Sequence, residues 1–284
     1  MRPGRLIVGM LPLLLLAGCL WQRGSNGKSW TLPFAGPTGA DVVDVQVAVL
    51  EVPAGDRYVN TSLYTQIDDQ ILAPEIRQRL EENGLRVAKV SGRPPDGLQD
   101  LLTSDRSNRN PQHVRVRSNN NKIVPLGPSR EVCQFQLAAD GPEEAIALEQ
   151  AQCLMQVTPV IGEEGKINLQ FLPQIQHADR KRQGQFIPTI ALALQSNRAT
   201  EGYPALRWDV TLGPNEYAVV GARFDKPQSL GYRFFVTAEG EKPTQRLLAI
   251  RTGRSGQAIE ISSASDSSKT RPLAAQAAGM LSIP

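Results

Sequence analysis

Few residues in this chain are of a type and spacing that could do chemistry. Its two histidines, His113 and His177, each lack a second histidine at metal-ligand spacing. His177 lies near Asp179 in a charged loop, which would permit a proton shuttle, but an isolated loop imidazole reads better as a surface residue. The paired carboxylates Glu143-Glu144 and Glu163-Glu164 fall in expected turns, where hydration keeps them ionised rather than tuned for acid–base work. Asp68-Asp69 reads as the solvated face of a helix. Gly27-Lys28-Ser29 resembles the end of a phosphate-binding loop, but Gln22 stands where the first glycine is required and no strand precedes it. GxSxG, SxxK and HExxH are absent. The expectation is a non-enzymatic protein with no catalytic residue, no cofactor and no metal site.

Three cysteines remain: Cys19, Cys133 and Cys153. They form no CxxC, so neither a redox motif nor a zinc site of that spacing is present. If the chain turns at Gly141–Glu144 between two strands, Cys133 and Cys153 sit directly opposite one another, within reach of a disulfide. Residues 142–148 could instead form a short helix and break that symmetry, leaving two buried free thiols. Both readings stand.

Cys19 belongs to a targeting segment. Met1 to Cys19 carries two arginines, an apolar core of roughly a dozen residues and small residues before the cysteine, and is short for a membrane span of ~20 residues. Leu16-Ala17-Gly18-Cys19 resembles the bacterial lipobox at all four positions. That resemblance implies cleavage before Cys19 and acylation of its thiol and amine, and hence a lipid anchor; an uncleaved anchor or an ordinary signal peptide is the alternative. Several acyl chains hold a protein on a bilayer stably, at ~0.8 kcal/mol per buried methylene. Leu20 follows where an inner-membrane retention signal would often show Asp, so the periplasmic side of the outer membrane is the expected location.

The elements that would position any site come next. The formal charge of +3 falls by two to +1 once Arg2 and Arg5 are set aside, which gives no electrostatic case for nucleic acid. Residues 20–40 read as a flexible tether. Val42–Val52 is a β-branched run and an expected core strand. Asn60-Thr61-Ser62 supplies N-caps for a helix in which Leu63, Ile67 and Ile71 recur every four residues. Leu72, Ile76 and Leu80 continue that spacing past Pro74, as a kink or as a second helix, and Asn83-Gly84 ends it. Leu85–Val90 is a short strand, and Asp96 caps a small helix through Leu102. Thr103–Asn121, with Arg106, Arg109, Arg115 and Arg117, reads as a solvated loop holding one strand. Lys122–Leu126 and Glu131–Ala138 read as further strands.

Residues 151–176 give the clearest pattern. Cys153, Met155, Val157 and Ile161 share one parity, and Ile167, Leu169, Phe171 and Ile175 share one beyond Gly162-Glu163-Glu164-Gly165. Asn168, Gln170, Gln174 and Gln176 take the other parity. This is a β-hairpin with one apolar and one polar face; a loop over Gly162–Lys166 puts Ile161 opposite Ile167 and Val157 opposite Phe171. Ile187–Leu194 fits either a strand or a helical turn. Leu206, Trp208, Val210 and Leu212 alternate, Gly213–Glu216 turns the chain, and in hairpin register Val210 faces Val219 and Trp208 faces Gly221. Leu230–Thr237 and Gln245–Thr252 would complete an antiparallel meander.

Several of these segments carry a family likeness. They are Leu154–Ile161 with Val157-Thr158-Pro159, Glu164–Leu169, Asn215–Ala222 and Ser229–Phe235. Their order resembles the C-terminal β-domain of secretins, the outer-membrane channels of type II and III secretion systems and type IV pili. Gly221-Ala222 stands for the family's Gly-Gly, Ser229 replaces its proline, and the long barrel- and gate-building segments have no counterpart. The resemblance implies a reduced module for assembly or binding rather than a working channel. It requires Met155–Ile175 to be extended and Trp208 and Val219 to face each other.

The expected organisation is α+β. A leader (1–19) and tether (20–40) precede a small N-terminal α/β unit (41–103), an antiparallel β-rich, secretin-like module (104–253) and a disordered tail (254–284). The expected partners are a membrane through lipidated Cys19 and other proteins, including a second copy of the chain, and not nucleic acid. A monomeric ligand-binding or scaffold lipoprotein is the alternative, with no ligand indicated.

Overall fold

The computed structural model describes residues 37, 39–138, 143–178, 198–238 and 242–254. The leader with its lipobox, most of the tether, the loop at 179–184, the run Ile187–Leu194 and the tail beyond Arg254 lie outside the described residues.

Alternating and continuous apolar runs produce two different kinds of strand. β1 (Val42–Pro53) is buried on both faces, with Val43, Val45 and Val47 on one and Ala48, Leu50 and Val52 on the other. It pairs with β12 (Thr244–Arg254) on one edge and β3 (Gln112–Arg117) on the other. β12 continues to β10 (Tyr217–Ala222), and β10 to β2 (Leu85–Val90), while the two-residue β11 (Val236–Thr237) pairs with one end of β12. This first sheet has the order β2-β10-β12-β1-β3. The second sheet has the order β4-β6-β7-β8, from β4 (Lys122–Pro125), β6 (Glu144–Ile161), β7 (Ile167–Ala178) and β8 (Arg198–Gly202). β5 (Arg130–Leu137) joins it beside β6, and β9 (Trp208–Leu212) beside β7. Neighbouring strands in both sheets run antiparallel.

The sheets enclose one core. Val43, Val45, Val47, Val220, Leu248 and Ile250 of the first meet Met155, Val157, Leu169, Phe171, Trp208 and Val210 of the second. The opposite face of the first sheet is covered by Val59, Leu63 and Tyr64, from two tight helical turns (Tyr58–Ser62 and Leu63–Thr65), and by Leu98 of α2 (Asp96–Thr103). Each large apolar side chain taken fully from water contributes ~1.5–3 kcal/mol. The result is a β-rich molecule of two antiparallel sheets with a thin helical layer on one outer face.

Four expectations need correction. The boundary at residues 103 and 104 does not divide the fold, because β1 and β2 pair with β12, β3 and β10 in one sheet. The helix expected from Leu63 is replaced by the two short turns and an extended stretch in which Asp68 bridges Lys89; helix α1 begins only at Pro74 (Pro74–Glu82). Pro74 sets its own N-terminus and holds Ala73 extended (φ −55°, ψ 142°), as a residue before proline must be. Leu230–Phe235 is helix α3, not a strand: Ser229 caps it by accepting from Tyr232 N, and all but one of its residues are buried. The fourth correction concerns Gly213–Glu216. It turns as expected, but it carries the chain from the second sheet to the first, so β9 and β10 form no hairpin.

Asn83 ties three of these elements together. It is fully buried at the end of α1; its Nδ2 donates to Arg79 O (2.9 Å) and Ala138 O (2.8 Å), and its Oδ1 accepts from Ala138 N (2.9 Å). Its own carbonyl accepts from Gly231 N of α3 (2.8 Å). Gly84 follows with φ +72°, and Gly231 packs so tightly on it that a Cβ there would lie 2.2 Å from Gly84 O.

Two measurements check this account. Asn83→Ala removes the side-chain partner of both the N–H and the carbonyl of Ala138 and is expected to lower unfolding free energy by about 2–4 kcal/mol in urea, with unchanged slope. The second concerns the crossing turn, where burial alone would raise the pKa of Glu216. The Gly213 N–H (2.7 Å), Lys89 (3.4 Å) and Ser91 (3.2 Å) outweigh burial and hold it below the usual carboxylate value. A depressed folded pKa gives stability that is present above the unfolded value and lost as pH falls through the folded one. The stability difference between wild type and Glu216→Gln should therefore shrink as the pH is lowered from about 6 to about 3.

Candidate functional site

Two groupings stand out: the outer face of the β6–β7 ribbon and the thiols beneath it. The ribbon has the register expected from parity, with Ile161 opposite Ile167 and Val157 opposite Phe171. Gly162 N donates to Lys166 O (2.9 Å) and Lys166 N to Glu163 O (3.0 Å), closing the loop with Glu164 and Gly165 at positive φ. Pro159 and Pro173 sit within the strands, and their carbonyls accept from Asn119 N (2.8 Å) and Tyr203 N (3.0 Å). On the buried face Phe171 stacks on Trp208 of β9, with ring centroids 5.1 Å apart and planes 4° off parallel.

The opposite face carries Gln156, Thr158, Asn168, Gln170, Gln174 and Gln176, all half-exposed. Gln174 Nε2 donates to Gln156 Oε1 at 2.8 Å, and Asp209 and Thr211 of β9 extend the face beside Gln170 and Asn168. It is a largely uncharged array of amides interspersed with Val160 and Leu172, and offers donors and acceptors but no nucleophile. Such a surface suits recognition of polar groups.

Trp208 does not face Gly221. The indole lies between the sheets, whereas Val219 belongs to the core on the far side of the first sheet, opposite Ala249 and Ala88. The space at Gly221 admits Tyr64 and Leu247 instead: a Cβ there would lie 2.7 Å from Tyr64 Oη and 2.9 Å from Leu247 Cδ1. Arg86 covers the Tyr64 ring at 3.8 Å, and burial pushes its phenol well above the usual value.

The remaining chemical candidates are dispersed. His113 Nε2 lies 3.8 Å from Asp44 Oδ1, and His177 Nε2 lies 3.8 Å from Glu201 Oε2, while Asp179 is outside the described residues. Glu144 opens β6 rather than sitting in a turn; Glu163 and Glu164 are exposed in the loop as expected, with Lys166 3.2 Å from Glu164. Asp69 pairs with Arg86 (3.4 Å) off any helix. Arg115, Arg109 and Arg117 pair with Asp44, Glu51 and Asp41 around β3.

Cys133 and Cys153 are free, buried thiols of one core, and Cys153 Sγ donates to Arg233 O (3.6 Å). They are not directly opposite: the β5–β6 register puts Cys133 against Leu148, and Cys153 follows beyond Gln150, whose φ is 48°. The neighbouring Cys153 thiol, with the Arg130 and Arg233 guanidiniums, outweighs burial and brings Cys133 down to about 7. The neighbouring Cys133 sulfur and burial push Cys153 well above its usual value. Sequence reasoning missed a cleft of about 410 Å³ beside them, lined by Leu137, Ile146, Glu201, Tyr203 and Leu206. Its lining comes from β5, β6, β8 and the turn after it, so no local pattern marks it.

No family model matches the chain, and no curated protein matches it. Among solved structures, the InvG secretin domain β-barrel from the Salmonella SPI-1 injectisome NC-base aligns over 75% of this chain and 60% of that one, at 9% identity and TM-score 0.19. Aeromonas hydrophila ExeD aligns over 75% of this chain and 46% of that one, at 11% identity and TM-score 0.19. The chain thus spans less than two thirds of either, and overlap this low carries no argument about activity.

The two faces of the ribbon should respond differently to truncation. Phe171→Ala is expected to cost about 3–5 kcal/mol, and Gln174→Ala to change stability by no more than about 0.5 kcal/mol, both read from urea unfolding.

Proposed function

We propose that this is a lipid-anchored, non-enzymatic protein of the bacterial envelope whose β-rich body mediates protein association, with the amide face of the β6–β7 ribbon as the contact surface. The observation that carries the association is that face: half-exposed amides from both strands, Gln174 bonded to Gln156, set among Val160 and Leu172, on a ribbon whose other side is locked into the core. Solvent is the bland role for such a face, and an interface gives the same amides partners. The anchor rests on Leu16–Cys19 and the apolar leader before it. The secretin-like reading rests on the sequence likeness of residues 154–169. The facing of Trp208 and Val219 that the likeness required does not occur, so the part carried by residues 215–222 falls away and the proposal is a binding or assembly module, with a link to secretion or pilus machinery resting on residues 154–169 alone and no channel.

A second reading has its own support. The cleft beside Tyr203, at about 410 Å³, falls in the size range of small-molecule sites and suits a monomeric ligand-binding lipoprotein.

Cells producing the protein and fed labelled palmitate should label the wild type and not Cys19→Ser, which should leave the membrane fraction; equal labelling of both overturns the anchor. In mild detergent, light scattering should show an oligomer that Gln174→Arg together with Gln156→Arg dissociates. A monomer at every concentration overturns association and leaves the ligand-binding reading.

A further inference from the structure

An amide face can be covered by its own copy. Gln156, Gln170, Gln174 and Gln176 each carry donors and an acceptor, so one such side chain pairs with an identical one, whereas a face of like charges repels its copy. Ile123, 38% exposed, stands across from Gln156 and, with half-exposed Leu172, gives the middle of the face an apolar contact. The charges on this face, Arg198, Arg207 and Asp209, lie along its margin beyond β7. Asp209 is registered opposite Gln170 and Arg198 opposite Ala178, so they stand four residues along β7 from Gln174, one on either side of it. At ~3.4 Å per residue they are ~27 Å apart, too far to meet within one chain. Among the described residues Asp209 has no cation partner, and the Arg198 guanidinium meets only neutral oxygens, Gln176 Oε1 (3.5 Å) and Ser129 Oγ (3.3 Å).

We propose that the molecule covering this face is a second copy of the chain, turned about a two-fold axis that runs across the strands at Gln174. The proposal rests on the association reading and adds to it the partner and the geometry. Such a rotation keeps each strand over its own counterpart and reverses its direction. Asp209 then meets Arg198 of the partner subunit, and Arg198 meets the partner's Asp209, so two charges unpaired in the single chain close two ion pairs in the dimer. Gln174 lies on the axis and meets its own copy, amide to amide. Arg207, which precedes Trp208 and so stands level with Leu172, comes to the neutral Thr200 of the partner subunit. Antiparallel strands of the two faces pack at the small angle of aligned sheets. Along β7 from Asn168 to Ala178 and across four strands, the face measures ~34 by ~19 Å at standard sheet spacings, so the dimer removes roughly 1,300 Å² from water. That exceeds the ~1,000 Å² a specific interface needs, and an isologous contact closes at two copies.

The test uses the full chain in mild detergent, with its mass read by sedimentation over a concentration series. Wild type should be a dimer. Asp209→Arg and Arg198→Asp should each weaken dimerisation at least ~5-fold, because each sets like charges together twice. Mixed at a concentration where neither is dimeric alone, the two should form the mixed dimer, in which both contacts again join opposite charges; ~0.5 M salt should weaken that recovery. The double variant, with the charges exchanged, should dimerise within ~3-fold of wild type. Neither side chain is buried, so the urea midpoints of the variants should stay at the wild-type value and separate a lost interface from a lost fold. Asp209→Asn and Arg198→Gln, which remove charge without reversing it, should give smaller losses in the same direction. A wild-type dimer unmoved by either reversal, weakened variants that do not recover on mixing, or a wild-type oligomer larger than two would each overturn this geometry and leave the association reading standing. A monomer at every concentration would overturn both.

Discussion

The fold depends on a central pair of strands that has no side facing water. β1 and β12 pair along eleven registered positions, from Val43 with Arg254 to Pro53 with Thr244, and both bury apolar residues on both faces along their middle, as at Val47–Leu50 and Leu247–Ile250. A sheet built on such a pair must be covered twice, and the molecule supplies the two covers differently. One is a whole second sheet, which needs only one oily face of its own. The other is a handful of side chains from short helical turns and α2. The asymmetry leaves the outer face of the second sheet free of structural duty, which is why amides can stand there.

How much of this was legible in the sequence differs by element, for physical reasons. The β6–β7 register could be read because parity is unambiguous on both strands and the loop is short. β1, β2, β3, β4 and β12 were visible as β-branched or alternating runs. The β9–β10 pairing was misread because a four-residue turn with alternating flanks looks the same whether it closes a hairpin or passes the chain between two layers. Parity fixes which side chains share a face, not which sheet the face belongs to. Leu230–Phe235 was misread because a continuous apolar run has no period; the Ser229 cap and the close approach of Gly231 to Gly84 decide for helix. The four-residue spacing from Leu63 to Leu80 overstated the helix because Pro74 and its restricted predecessor cut it.

The candidate site was half visible. Its polar parity at Asn168, Gln170 and Gln174 could be read directly, whereas the direct opposition expected of Cys133 and Cys153 rested on a wrong register. The part that escaped is non-local. Asn83 joins α1, the end of β5 and α3 through backbone groups far away in sequence, and the cleft at Tyr203 is made by three separate segments. Polar residues that serve distant backbone leave no periodic trace, since their partners are carbonyls and amides that every residue has.

Because Val43 sits across from Arg254, the first and the last of the described strands to be made are neighbours. At ~5–20 residues per second, a ribosome needs roughly ten to forty seconds between them. β3 can occupy one edge of β1 early, but the other edge stays open until synthesis is nearly done. An oily strand left half-paired for that long invites wrong partners, so the nascent chain has reason to be escorted by a holding chaperone, and any premature stop before residue 244 strips β1 and β10 of their shared neighbour at once.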